Sequence, residues 1–139
     1  MSQIGKYFKA SEFECPCCKK TAPSRRLVAI LDSARAQLGP LRINSSYRCP
    51  KHNDEVAGKK NSMHLEYGGF VCAADVTYSD VSKRHGEHIL KLYITLEGVA
   101  RRYEGMPYGL GLYGTFVHFD TRGEVGKPMA RWDQYPWPR

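Results

Sequence analysis

Residues 24–45 constrain this chain more than any other stretch. Leu27, Ile30, Leu31, Ala34 and Leu38 recur at spacings of three and four, which places them on one stripe of a helix. Ser24 can cap its first turn. Gly39-Pro40 ends it, because glycine tolerates the left-handed cap and proline cannot continue the ladder. Leu41-Arg42-Ile43-Asn44-Ser45 follows at once and alternates apolar with polar, the period of a half-buried strand. A striped helix and a one-sided strand joined by two residues must bury their apolar sides together.

The rest of the chain extends that beginning. Residues 71–78 read as a strand. Residues 82–96 read as a second helix, with Ile89, Leu92, Tyr93 and Leu96 on its apolar side and Gly98 after it. Residues 108–113 and 115–121 read as two strands meeting at Gly114. Between residues 47 and 69 polar residues, glycine and lysine dominate without a period, which predicts loops or a short helix between loops. Residues 131–139 are rich in aromatics and proline and are expected to pack irregularly over the domain. The order helix, strand, strand, helix, strand, strand predicts an α+β fold with a mainly antiparallel sheet and flanking helices. No repeat or flexible linker divides the 139 residues, so one domain over residues 1–139 is expected.

Composition narrows the partners. The net charge of +7 favours an anionic one, although the basic residues fall in scattered pairs such as Lys19-Lys20 and Arg101-Arg102, which also suit a solvated surface. No apolar run is long enough to span a membrane. The first residues lack the apolar stretch of a secretory signal, so synthesis in the cytoplasm is expected, and action outside the membrane would need another exit route. Five cysteines make an odd count for a disulfide framework. Cys15 and Cys18 have the spacing of a zinc knuckle, and Cys49 with His52 can supply the other half of a closed structural site. Buried or loose thiols, with or without one disulfide, explain the same residues.

His64, Asp75 and His118 carry the chemistry. Two imidazoles and a carboxylate suit a zinc ion with its fourth position left to solvent, the arrangement of a catalytic site. Strand periodicity puts Phe116, His118 and Asp120 on one face and Val117 and Phe119 on the other. Ala73, Asp75 and Thr77 share a face in the same way, with Cys72, Ala74 and Val76 opposite. The zinc site therefore belongs on a sheet face. Spacing alone also allows a solvated His64, a turn Asp75 and a hydrogen-bonded His118. His85 and His88 form a further pair on the second helix, better explained as exposed histidines, and Gly109-x-Gly111 is better explained by close packing than by phosphate binding.

Four ordered motifs go further. They are Ser45-Ser46-Tyr47-Arg48-Cys49-Pro50-x-His52-Asn53, Asn61-Ser62-Met63-His64-Leu65, Ala73-Ala74-Asp75-Val76, and Gly109-Leu110-Gly111-Leu112-Tyr113-x-x-Phe116-Val117-His118-Phe119-Asp120-Thr121-Arg122. With a late Arg131-Trp132 and the opening Tyr7-Phe8-x-x-Ser11-Glu12-Phe13-x-Cys15, the chain closely resembles the zinc D-alanyl-D-alanine carboxypeptidases and L-alanyl-D-glutamate endopeptidases. These cut bacterial cell-wall peptides and include phage lysins.

The resemblance implies His64, Asp75 and His118 as zinc ligands. It implies Arg48 and Ser62 at the substrate, with Arg48 facing a carboxylate or the peptide carbonyl. It also implies a monomeric peptidoglycan hydrolase, of phage or prophage lysin type, that reaches the wall after release from the cytoplasm. Two departures stand out. The spacing from His64 to Asp75 is eleven where seven is common, and the extra residues include Gly68-Gly69. Thr115 occupies the place, three residues before the last histidine, where several relatives carry a carboxylate base. Asp120 is then the nearest carboxylate on that face, either as the base or as a group that orients a ligand. The competing readings are a basic nucleic-acid-binding module stabilised by zinc on Cys15, Cys18, Cys49 and His52, and an inactive wall-binding relative.

Overall fold

In the computed structural model, residues 3–103 and 105–138 are described; Met1, Ser2, Glu104 and Arg139, which the single-domain and tail expectations include, lie outside them. A short ribbon, β1 (Gln3–Ile4) with β2 (Phe8–Lys9), opens the chain. It is pinned to the first helix, α1 (Arg25–Leu38), by the backbone N–H groups of Lys6 and Tyr7, which donate to Asp32 at 2.7 and 3.1 Å. Ser24 caps α1 as its sequence predicts, its Oγ accepting from Leu27 N–H at 3.0 Å. Gly39 closes the helix at φ 86°.

The strands β3 (Leu41–Ser45), β4 (Ala73–Tyr78), β5 (Gly109–Leu112), β6 (Val117–Asp120) and β7 (Ala130–Asp133) form one sheet in the order β3-β4-β6-β5-β7. Every neighbouring pair is antiparallel except β5 with β7, which is parallel. The sheet is therefore mainly antiparallel, as expected, but mixed. The correction lies in the tail: residues 130–133 form a strand instead of packing irregularly. Among the described residues, its backbone ladder runs along the edge offered by β5.

Two further helices are α2 (Pro50–Glu55), a short piece inside the predicted loop region, and α3 (Glu87–Arg102). The second long helix starts later and ends later than its sequence predicts. Asp80 caps a separate 3-10 turn at residues 81–83, and Gly86 at φ 62° breaks the chain before Glu87. At the other end Gly98 stays helical, because Val99 and Ala100 continue the buried stripe of Ile89, Leu92 and Leu96.

Both long helices cover one face of the sheet. Leu27, Leu31, Leu92 and Leu96 pack there with Ala74, Val76, Leu110, Val117 and Phe119 in one core. Each fully buried Leu or Phe contributes roughly 1.5–3 kcal/mol. Ala73 and Cys72 lie outside this core, in a smaller cluster with Met63 under the opposite face; Cys72 thus departs from its expected grouping with Ala74 and Val76. That opposite face is left to the candidate site.

Candidate metal centre

One transverse row of the sheet builds the centre. Asp75 of β4 stands directly across from His118 of β6. Gly111 of β5 faces His118, and Trp132 of β7 faces Gly111. On the other side Ser45 pairs with Asp75 across an irregularity in β3. Side chains alternate along each strand, so a row in register emerges on one face.

His64 arrives from a turn in which Leu65 N–H donates to the Ser62 carbonyl at 3.2 Å. The Ser62 hydroxyl accepts the His64 N–H at 3.1 Å. The extra residues before Asp75 are taken up by a tight hairpin. Gly68 and Gly69 have φ of 61° and 89°, and Tyr67 and Phe70 exchange backbone hydrogen bonds of 2.9 and 3.2 Å around them. Glycine adopts two such residues in succession at no steric cost. The longer spacing therefore leaves His64 within reach of Asp75.

His64 Nε2 and His118 Nδ1 each lie 3.1 Å from the same oxygen, Asp75 Oδ1. The three potential ligand atoms fall within 4.8 Å of one another. All three side chains are buried. The outer nitrogens are spoken for. His64 Nδ1 is 2.8 Å from the Ser46 carbonyl, which can only accept, so this nitrogen carries the hydrogen and Nε2 faces inward. His118 Nε2 donates to Asp120 Oδ2 at 2.7 Å, which turns Nδ1 toward Asp75. Two nitrogens and a carboxylate oxygen converging, each imidazole held from behind, are the donor set of a zinc site.

Asp120 is fully buried behind His118. Arg122 donates to it from Nε at 2.9 Å, from a terminal nitrogen at 2.8 Å and from its backbone N–H at 3.1 Å. Gly109 makes this possible, since a Cβ there would collide with Asp120 and the Arg122 guanidinium. Likewise a Cβ on Gly111 would run into the Trp132 indole. That ring sits 5.1 Å from the His118 ring and donates through Nε1 to the Tyr113 hydroxyl at 2.9 Å. Close packing thus explains Gly109-x-Gly111. Sequence assigns no role to Arg122 or Trp132, although both sit in the motifs; the register of β5, β6 and β7 brings Trp132 to His118, and Arg122 folds back onto Asp120 two residues before it.

The charges are strongly coupled. Burial disfavours ionised Asp75, but hydrogen bonds from His118 and His64 outweigh it and hold the carboxyl well below its usual range. Burial opposes charge on Asp120 too, and Arg122 and His118 still bring its pKa down to about 2. Burial lowers the His64 pKa despite Asp75. For His118 burial pulls down as well, yet Asp120 and Asp75 together raise its pKa to about 9. Without an ion, the His118 ring must hold a proton on each nitrogen to face two carboxylates.

The centre lies in a cleft of about 960 Å³, walled by Phe116, Tyr113 and Trp132 and rimmed by Arg48, Lys59, Ser62 and Lys127. Arg48 donates from Nε to Ser45 Oγ at 3.3 Å, and its terminal nitrogen lies 3.6 Å from Asp75 Oδ2. Thr115 is exposed outside that cleft. Among the described residues lining the cleft, Asp75 is the only carboxylate.

The other candidates sort differently. The thiols of Cys15, Cys18 and Cys49 lie within 4.8 Å of one another, but His52 does not join them. Its Nδ1 turns along α2 toward Glu55, 3.7 Å away, which corrects the expected three-cysteine, one-histidine set. All five cysteines are free thiols. His85 precedes the break at Gly86 and so does not share a helix face with His88, which packs against Tyr78. No helix among the described residues is long and apolar enough to cross a membrane.

A family model described as Peptidase M15 matches residues 6–120. None of the curated proteins compared with the chain matches it.

Proposed function

Because the chain belongs to the peptidase M15 family, whose members are zinc metallopeptidases, we propose that it cleaves peptidoglycan stem peptides, as a D-alanyl-D-alanine carboxypeptidase or an L-alanyl-D-glutamate endopeptidase. The observation that carries this reading is the convergence of His64 Nε2 and His118 Nδ1 on Asp75 Oδ1 at the floor of an open cleft.

His64, Asp75 and His118 would hold the zinc, which supplies Lewis acidity toward an amide carbonyl and toward water. The chain's own residues do the rest. The Ser46 carbonyl and Asp120 fix which nitrogen of each histidine faces inward. With all its acceptor capacity committed to Arg122 and His118, Asp120 suits this orienting role better than that of a general base. Arg48 presents a planar fork beside Asp75, suited to a substrate carboxylate or to the charge that develops on the scissile carbonyl oxygen. Ser62 is committed to the His64 N–H, so its contact with substrate would run through its remaining hydroxyl capacity. Trp132 and Phe116 exclude water from one side, and Lys59 and Lys127 attract the acidic stem peptide.

The same reading assigns the protein to a monomeric lysin that acts on the wall once the membrane has been opened. Family membership displaces the nucleic-acid-binding alternative. The inactive wall-binding alternative is favoured by one observation, the lack of a second carboxylate among the described cleft residues. Incubation of purified cell wall with the protein, with and without a zinc chelator, tests the proposal by mass spectrometry. Free D-alanine would mark the carboxypeptidase, and new amino termini within the stem would mark the endopeptidase. Release that persists unchanged after zinc removal, or no release by the zinc-loaded protein, would overturn it.

A further inference from the structure

Away from the ligands of the cleft, three of the five cysteines converge, Cys15, Cys18 and Cys49, and Cys17 lies on the same turn as the first two. Residues 15–20 form a tight turn, with Cys15 N–H donating to the Lys20 carbonyl at 2.9 Å and Lys19 N–H to the Cys15 carbonyl at 2.8 Å. Lys19 takes φ 63°, a left-handed conformation that a lysine adopts only under constraint. Backbone N–H groups reach sulfur here: Cys15 Sγ accepts from Cys49 N–H at 3.4 Å. Cys49 Sγ accepts in turn from His52 N–H at 3.4 Å. The thiols of Cys15, Cys18 and Cys49 lie within 4.8 Å of one another.

Backbone donors stabilise a thiolate, and the sulfurs of Cys15 and Cys49 each accept one. We propose that Cys15, Cys17, Cys18 and Cys49 form a second, closed zinc site, in which Cys17 and not His52 is the fourth ligand. A structural zinc site is closed and tetrahedral, with four cysteine or histidine ligands. Cys15, Cys18 and Cys49 already converge; Cys17 stands outside that set but is exposed on the same turn, between Cys15 and Cys18, whereas the His52 imidazole faces Glu55.

The site would tie residues 15–18 to the residue that follows Arg48. Arg48 N–H donates to the His64 carbonyl at 2.8 Å, and Tyr47 N–H to the Phe13 carbonyl at 3.2 Å. The ion thus braces the segment that presents Arg48 to the cleft, while standing independently of the peptidase reading.

Metal analysis of the full chain purified with zinc tests this. Two ions per chain are expected in the wild type, and one in His64→Ala/His118→Ala. Cobalt substitution of that double variant should give a sulfur-to-cobalt charge-transfer band, weakened by an added Cys17→Ser and unchanged by an added His52→Ala. Should the peptidase centre bind no metal, the wild type would hold one ion and show the same band, so the two readings fail separately. Thiol alkylation of the wild type avoids any folding defect of variants. Exposed Cys17 and Cys18 should resist labelling until a chelator is added. Immediate labelling of both in zinc-loaded protein, absence of the charge-transfer band, or a band that responds to His52→Ala and not to Cys17→Ser would overturn the assignment.

Discussion

Asp120→Asn separates the two roles open to the most buried carboxylate of the centre. Asp120 accepts four hydrogen bonds, one from His118 Nε2 at 2.7 Å and three from Arg122 at 2.8, 2.9 and 3.1 Å. An asparagine of the same shape accepts at one oxygen only and turns an NH2 group toward the remaining donors. Either His118 or the Arg122 guanidinium then loses its acceptor. Breaking a buried ion pair costs about 3–5 kcal/mol. Arg122 keeps some solvent contact, its side chain being 15% exposed, which points to the lower end, about 3 kcal/mol. Unfolding entropy of roughly 2.1 cal/mol/K per residue over 139 residues gives about 0.3 kcal/mol/K, so the metal-free variant should melt about 10 °C lower. Loss of a partner that orients a metal-binding histidine also weakens metal affinity about 10- to 100-fold. Calorimetry on metal-free protein and zinc competition against a chromogenic chelator read the two effects. Unchanged zinc affinity with collapsed turnover would make Asp120 the proton carrier and refute the positioning argument.

Three further outcomes follow from the same geometry. In metal-free protein the His118 pKa is raised from about 6.5 to about 9, so the protonated ring stabilises the fold fully below about pH 6.5 and that contribution disappears as pH rises through 9. Zinc competes with this proton, so its affinity should climb across the same window; a flat profile in chelator competition would contradict the coupling. Arg48→Ala should leave zinc binding intact and lower kcat/KM by about 10²- to 10³-fold, as for loss of an oxyanion donor; a change in metal content instead would assign Arg48 to the ligand sphere. Gly111→Ala should force the Trp132 indole off His118 at a cost of about 1–3 kcal/mol. Its melting point should fall by several degrees with zinc retained, and an unchanged melting point would show that the sheet absorbs the methyl group.

What the sequence made legible was local. The stripe and caps of α1 lie within sixteen residues, and the alternation around His118 needs only seven, so the helix and both faces of β6 follow from periodicity. The family motifs then pointed to His64, Asp75 and His118, which the sheet register brings together. Features that depend on distant partners stayed hidden. β7 exists because β5 offers it an edge, and nothing within its four residues announces a parallel pairing. The start of α3 turns on a left-handed Gly86, and its end on burial of Val99 and Ala100, which overrides the usual reading of Gly98 as a stop. His52 looked like a ligand from its distance to Cys49, yet the direction of its ring along α2 decides otherwise.

β7 is hydrogen-bonded along one side only, at the margin of the sheet. Among the five strands of that sheet, β7 and β3 alone can detach without severing two ladders, and β7 takes the Trp132 indole with it. Fraying there would unroof His118 while Asp75 and His64 stay anchored by β4 and the residues 62–65 turn. The grip on the cation and the shape of the peptide groove are consequently separable properties, so the last strand can be rebuilt for a different wall chemistry without retuning the ion.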